Sequence, residues 1–296
     1  MTSPAVAAQS LTPAAVQAAY GLIQPHVHRT PLLTCKTLDT IASTPQSVEA
    51  LVGTPFEGQT PARPQFRFFF KCENFQRIGA FKARGAFHAL LRLLEERGEE
   101  VKRRGVITHS SGNHAQALAL AASTLGIPAY IVMPRISTPS KIAGTQSHGA
   151  EVIFSGSTSV EREAVVAEIQ AKTDAILVPP YDDFNVICGQ GTTGLELEVQ
   201  HAEQAGSRTL DAVITPIGGG GLNSGVATWF SDKQTRVFER MKVVVEPSAV
   251  VGLAVCLFDE NFRRRVEQEG GKDGWDVGVV FSGGNTTVEA IAKLFA

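Results

Sequence analysis

The sequence predicts an α/β fold, an open and mostly parallel sheet covered by helices on both faces, and three observations predict it. From Gly105 onward, short apolar runs alternate with helical patterns. Glycine- and serine-rich turns stand where those runs end, at residues 109–114, 218–221 and 282–285. The length, 296 residues of which 43% are hydrophobic and 19% charged, suits about two domains, each with a core of its own.

Taken in order, residues 11–24 read as an amphipathic helix, with Thr12 as its cap and Pro13 in its first turn. Thr30, Pro31, Leu32 and Leu33 read as an extended segment leading into the core. Residues 43–64 hold four prolines and two glycines with little periodicity, the mark of an exposed loop. Residues 66–72 are an apolar strand, followed by a turn around Lys82 and a helix to about Arg97.

The block 105–182 then alternates regularly. Strands are expected at 106–108, 129–133, 151–154 and 175–178, and helices at 115–125, 141–147 and 160–172. It has the length of a small domain inserted into a larger, discontinuous one made of 1–104 and 183–296. In the larger domain, residues 189–193 open a helix to about Ala205, and the strand 212–216 runs into four glycines and a helix from Leu222. An apolar run at 243–245, a helix to about Phe258, a polar stretch and a strand at 277–281 complete the chain.

The formal net charge is −2, with no basic patch or run of like charge, which argues against nucleic acid and anionic membrane surfaces as partners. Cys35, Cys72, Cys188 and Cys256 are scattered without metal-ligand spacing and read as buried thiols of a reducing compartment. The first ten residues lack the basic and apolar regions of a signal peptide, and no stretch is long enough to span a bilayer. The expectation is a cytoplasmic protein.

Four stretches carry chemistry. Lys82 lies where a strand gives way to a helix, between Phe81 and Ala83. A lysine in a dry pocket loses its proton, and only the neutral amine attacks a carbonyl to form a Schiff base. Gly218, Gly219, Gly220 and Gly221 let backbone N–H groups approach a phosphate at the positive end of a helix dipole. Leu222 and Asn223 follow, so the G-x-G-x-x-G dinucleotide fingerprint is absent and a monophosphate fits better. Ser110, Ser111, Asn113 and His114 stand at a strand–helix junction suited to a carboxylate, with Ser111 also able to cap the helix. His109 and His114 have no acidic or cysteine partner in sequence, which rules against zinc. Ser282 follows an apolar strand, at the carboxyl end of the sheet where open α/β folds bind ligands.

Together these stretches resemble the fold-type II pyridoxal-phosphate enzymes, which share a tryptophan synthase β-like architecture, and specifically the serine racemase and serine/threonine dehydratase family. The resemblance rests on Phe81-Lys82-x-Arg84-Gly85-Ala86, Thr108-His109-Ser110-Ser111-Gly112-Asn113-His114, Gly189-Gln190-Gly191-Thr192, the four glycines and Ser282-Gly283-Gly284-Asn285. It implies pyridoxal 5'-phosphate as cofactor, a small amino acid as substrate, and a homodimer. By position, Lys82 binds the cofactor as a Schiff base and moves the Cα proton. The four glycines cradle its phosphate, Asn113 meets its phenolic oxygen, Phe81 packs near its ring and Ser282 meets its pyridine nitrogen. Ser110, Asn113 and His114 receive the substrate carboxylate, and Ser111 is the second base a racemase needs. The implied reaction is β-elimination of water from L-threonine or L-serine, giving a 2-oxo acid and ammonia. Racemisation of serine, or a catalytically impaired truncated relative, is the alternative.

The chain departs from that family pattern in one large way. Ala227-Thr228-Trp229-Phe230 runs almost directly into Phe238-Glu239-Arg240-Met241-Lys242, a stretch that in the family ends a later helix. Glu246-Pro247-Ser248-Ala249 then reads as the second of two such motifs, and several dozen residues of the large domain are missing. The expectations are no metal site, since no carboxylate stands between Pro247 and Phe258, and a central sheet with an exposed edge. Ala80 and Ala115 are small departures that remove no needed group.

Overall fold

The structure, a computed structural model, describes residues 10–110, 112–240 and 251–286. The chain divides into two compact units: Met1–Arg29, Phe75–Leu195 and Gly219–Ser231 in the first, and Thr30–Asn74, Glu196–Gly218 and Asp232–Ala296 in the second.

The first unit is built on a parallel sheet of order β5-β4-β3-β6, with β3 Val106–His109, β4 Ala129–Pro134, β5 Glu151–Ser155 and β6 Ile176–Leu177. These strands fall within residues 105–182, the block whose alternating pattern predicted them. Crossover helices follow as parallel pairing requires: α5 Asn113–Leu125, α6 Pro139–Gln146 and α7 Ser159–Thr173. The last opens with a capping box between Thr158 and Glu161. Ile107 and Val132 pack with Val166 of α7. Val106, Ile131 and Met133 join the alanine-rich α5 and the Phe87 and Leu90 side chains of α3 Lys82–Arg97. The N-terminal helix α1 Pro13–Ile23 belongs to this unit, and the Thr12 side chain accepts from the amide of Ala15 as its cap. A short helix, α4 Glu99–Arg104, leads into β3.

The second unit holds a five-stranded sheet of order β1-β2-β9-β7-β8, with β1 Leu32–Leu33, β2 Phe66–Cys72, β7 Ala212–Pro216, β8 Arg236–Arg240 and β9 Trp275–Phe281. All pairs are parallel except β1 against β2. β2 is buried along nearly its whole length, as an interior parallel strand must be. One face carries Phe66, Phe68, Phe70, Ile214, Val277 and Val279, covered by Cys256, Phe262 and Val266. These come from α10 Val251–Phe258 and α11 Glu260–Gly270, and α2 Lys36–Ser43 adds Ala42.

The other face is partly polar, and its buried charges are paired. The ammonium of Lys71, wholly buried, donates to Glu196 at 2.6 Å, Gln200 at 2.7 Å and the Thr30 carbonyl at 2.9 Å. Buried Asp276 accepts from His201 at 2.9 Å and Arg208 at 3.2 Å and pairs with Arg67. Buried charge survives only with this density of partners.

Several sequence expectations shift. The Gly189-Gln190-Gly191-Thr192-Thr193 stretch does not open a helix. It lies inside α8 Phe184–Ala205, whose start is fixed by the Asp183 carboxylate accepting from the Val186 amide at 3.0 Å. The cap of α5 is Gly112, not Ser111, with no side-chain capping bond, and Ser111 lies outside the described residues. Residues 236–240, to which the sequence assigned no element, form a strand. The polar stretch after Phe258 is α11, whose apolar face is only Phe262 and Val266, too sparse a period to see in sequence. Among the described residues β8 is an edge strand, reached from α9 Gly221–Phe230 by a five-residue connection, residues 231–235. Glu246, Pro247 and Ser248, on which the metal-site reading rests, lie outside the described residues.

Candidate active site

The turn that presents Lys82 is strained. Ile78 has φ 60° and Gly79 φ 71°, and a left-handed β-branched residue costs about 1–3 kcal/mol, a kind of strain that clusters at functional sites. Phe81 is the N-cap and Lys82 the first residue of α3. The ammonium of Lys82 donates to the Pro180 carbonyl at 2.6 Å, with the Phe81 ring 5.2 Å and the Tyr181 ring 6.0 Å away. Burial holds it below the usual lysine range, at about 8, because the charged form has little water around it.

Helices α3, α8 and α9 meet through glycine. A Cβ on Gly85 would stand 2.9 Å from the Val186 carbonyl, one on Gly189 2.7 Å from that of Arg84, and one on Gly191 2.7 Å from that of Gly225. The first turn of any helix has amides without intrahelical partners. In α3 the amide of Gly85 finds the side-chain oxygen of buried Gln190 at 3.1 Å. The Arg84 guanidinium donates to the Thr192 hydroxyl at 3.2 Å, and that hydroxyl donates to the Gly189 carbonyl at 2.7 Å. His88 bonds the Asn185 carbonyl through Nδ1 at 2.6 Å. The Gly189-Gln190-Gly191-Thr192 stretch is thus the joint that seats the lysine helix.

The Ser110 hydroxyl accepts from the Gly112 amide at 3.3 Å, and Asn113 begins α5. His114 is buried, its Nε2 3.4 Å from the Val178 carbonyl, its Nδ1 without a partner among the described residues. Burial, then the charge of Lys82, push it down to about 3, so it stands as a neutral ring. His109 is also held below its ordinary value, mainly by burial.

Gly219 and Gly220 precede α9, and Gly221 is its first residue. Gly220 has φ 89°, which disfavours any side chain, and a Cβ on Gly221 would stand 2.7 Å from the Tyr181 carbonyl. The Tyr181 ring fills the space a side chain on Gly219 would need. The first turn of α9 holds no acidic residue, which leaves its amide end open to an anion. Tyr181 is thus a neighbour of both Lys82 and the glycine turn. Sequence reading missed it because a tyrosine between Pro180 and Asp182 carries no periodic signal.

Phe81, Lys82, Ser110, Asn113, His114, Gly219, Gly220 and Gly221 all belong to the first unit. Gly218 and Ser282 belong to the second, just past the carboxyl ends of β7 and β9, which are neighbouring parallel strands. The groups of the first unit fit pyridoxal phosphate. A lysine amine of lowered pKa suits its aldehyde, a glycine turn at a helix start suits its phosphate, and the unpartnered His114 Nδ1 is a buried acceptor for a donor group.

Known proteins resemble the chain in the same terms. Residues 53–238 match the family described as pyridoxal-phosphate dependent enzyme. A serine racemase of Oryza sativa subsp. indica is 32% identical over 91% of this chain and 89% of its own length. That alignment runs over 339 positions against a chain of 296, so it closes only with gaps on this chain's side. An L-threonine ammonia-lyase of Thermotoga maritima is 45% identical over 54% of this chain and 37% of its own length. The structure of maize serine racemase superposes with a TM-score of 0.74 at 29% identity, covering 96% of each chain. With the matched region spanning more than half its length, the chain belongs to the pyridoxal-phosphate dependent enzymes.

Proposed function

We propose that this chain deaminates L-threonine or L-serine: the β-hydroxyl is eliminated as water, and a water molecule then hydrolyses the enamine to a 2-oxo acid and ammonia. The observation that carries the reading is Lys82, an amine held near neutrality by burial and aimed by the Pro180 carbonyl, beside the glycine turn. When bound, the cofactor delocalises the charge left on Cα once its proton is removed. Lys82 takes that proton; the β-hydroxyl then leaves with a proton as water. Ser110, Asn113 and the amide end of α5 hold the substrate carboxylate, and neutral His114 adds a hydrogen bond without charge. Gly218, Gly219, Gly220 and Gly221 would hold the cofactor phosphate, and by the family resemblance Ser282 would offer an uncharged hydroxyl to its ring nitrogen.

Serine racemisation is the second reading, supported by the rice relative. It requires Ser111 to return a proton to the opposite side of Cα. The division of labour between a small domain at 105–182 and a larger cofactor domain, a homodimeric state and a cytosolic location are proposed with it.

The experiment is a visible absorption spectrum with pyridoxal phosphate, wild type beside Lys82→Ala, followed by L-threonine or L-serine. A bound-cofactor band in the wild type alone, then 2-oxo acid, is the expected result. A folded protein without the band overturns the enzyme reading. D-serine formed by the wild type and abolished in Ser111→Ala, with elimination intact, selects the racemase.

A further inference from the structure

A cleft of about 430 Å³ opens between α1, α3 and α8, all of the first unit, and no residue assigned above to substrate or cofactor lines it. Its α1 wall is built from small residues: Ala15, Ala18 and Gly21 recur three apart along one stripe. A Cβ on Gly21 would meet nothing within 4 Å, so the space beside it is open. Small residues leave room, and the polar groups opposite say for what.

Helix α3 contributes His88, Arg92 and Glu95, which share one face at spacings of four and three residues. His88 is 4% exposed, and its Nδ1 lies 2.6 Å from the Asn185 carbonyl, a group that can only accept. That nitrogen therefore carries the ring proton. Burial holds the ring below its ordinary pKa, so it is neutral at pH 7. Nε2 is left as an acceptor with no partner among the described residues. Asn185 also lines the cleft, and its side-chain Oδ1 is a buried acceptor without a partner among the described residues. Two acceptors on adjoining residues thus lack donors, and a buried acceptor left unpaired costs free energy that a bound N–H returns.

Charge points the same way. The Arg92 guanidinium is spent on Glu95 at 2.5 Å and Glu96 at 3.1 Å, one cation against two carboxylates. Asp183 adds a third carboxylate near His88, and by accepting from the Val186 amide it offsets the positive end of α8. Phe184 brings an aromatic side chain to the same cleft.

We propose that this cleft is a second ligand site, which takes a small organic cation bearing several N–H donors on a flat apolar body. The donors meet His88 Nε2 and Asn185 Oδ1, Glu95 balances the charge, and the body lies against Phe184 and the alanines of α1. Such an occupant ties α3 to α8 where a Cβ on Gly189 would stand 2.9 Å from that of His88, in the joint that seats Lys82. The site is independent of whether the enzyme eliminates water or racemises.

The test uses the protein loaded with pyridoxal phosphate and two probes of one shape: benzamidine, a planar cation, and benzamide, its neutral counterpart. Neither condenses with the cofactor aldehyde. Binding is measured by calorimetry to the wild type, Asn185→Asp and Gly21→Leu. Benzamidine is expected to bind the wild type about tenfold or more tighter than benzamide does, and Asn185→Asp to tighten it by about tenfold. Gly21→Leu, which fills the open side of the cleft, is expected to remove binding. A gain in affinity cannot come from misfolding, so Asn185→Asp decides the matter even if Gly21→Leu is unstable. No benzamidine binding by the wild type means that water alone serves the two acceptors. Equal binding of both probes means that charge is not recognised, and an affinity that either folded variant leaves unchanged places the probe elsewhere. Each of these three results overturns the proposal.

Discussion

The side-chain oxygen of Gln190 accepts the amide of Gly85 at 3.1 Å, inside the helix joint and three residues from Lys82. It satisfies a donor in the first turn of α3 that has no partner within the helix. Gln190→Ala leaves that buried amide unpaired. The variant is expected to lose about 1–3 kcal/mol of stability in urea unfolding. Pyridoxal-phosphate affinity is expected to fall with it, because the first turn carries the lysine. Unchanged affinity in a destabilised protein means that Gln190 supports the fold alone.

Gly191→Ala tests the joint from its other side. The new methyl would stand 2.7 Å from the Gly225 carbonyl and 2.9 Å from Val16 of α1, so backbone must move. Overpacking of this kind costs about 1–3 kcal/mol, read as a lower melting temperature of the apoprotein.

Lys82→Met is expected to stabilise the apoprotein at pH 7. In the folded protein the amine titrates near 8, against an ordinary value of 10.5, so between those values the unfolded chain binds more protons. Stability therefore rises with pH from about 8 to 10.5, and the cost of the buried charge is in full force below 8. Methionine removes that cost. Its advantage in melting temperature at pH 7 should shrink as the pH approaches 10.5. The rate of cofactor capture by the wild type should rise through pH 8, since only the neutral amine reacts.

His114 gives the opposite limb. Its folded pKa of about 3 lies below its ordinary value of 6.5, so the unfolded chain takes up a proton first as pH falls. Stability drops across pH 6.5 to 3 by up to about 1.4 kcal/mol per unit from this group. His114→Gln should flatten that slope in denaturation series at about pH 4 and pH 7, while leaving the rise of cofactor capture near pH 8 in place.

Much of this was legible in sequence because it rests on local signals. The four-stranded sheet of the first unit follows from alternating runs between Val106 and Leu177, and Lys82, Asn113 and the glycine turn from their places at strand–helix junctions. What escaped notice depends on distant partners. Gly189 and Gly191 resemble a helix start in sequence, and only close approach to Arg84 and Gly225 makes them tolerable within α8. Tyr181 matters through the glycines it covers, and α11 turns only Phe262 and Val266 as apolar side chains to the core. Residues 236–240 pair as a strand because the short connection from α9 brings them beside β7.

Packing of backbone on backbone at Gly85, Gly189, Gly191 and Gly225 has an evolutionary corollary. Where side chains set a spacing, drift in their volumes shifts it gradually, and compensating replacements are easy to find. Where main chains touch, there is nothing to trim and no room to add, so the seat of the lysine stays put while the surrounding core diverges. An added methyl at any of these four positions therefore has to be absorbed by movement of a whole helix rather than of a side chain.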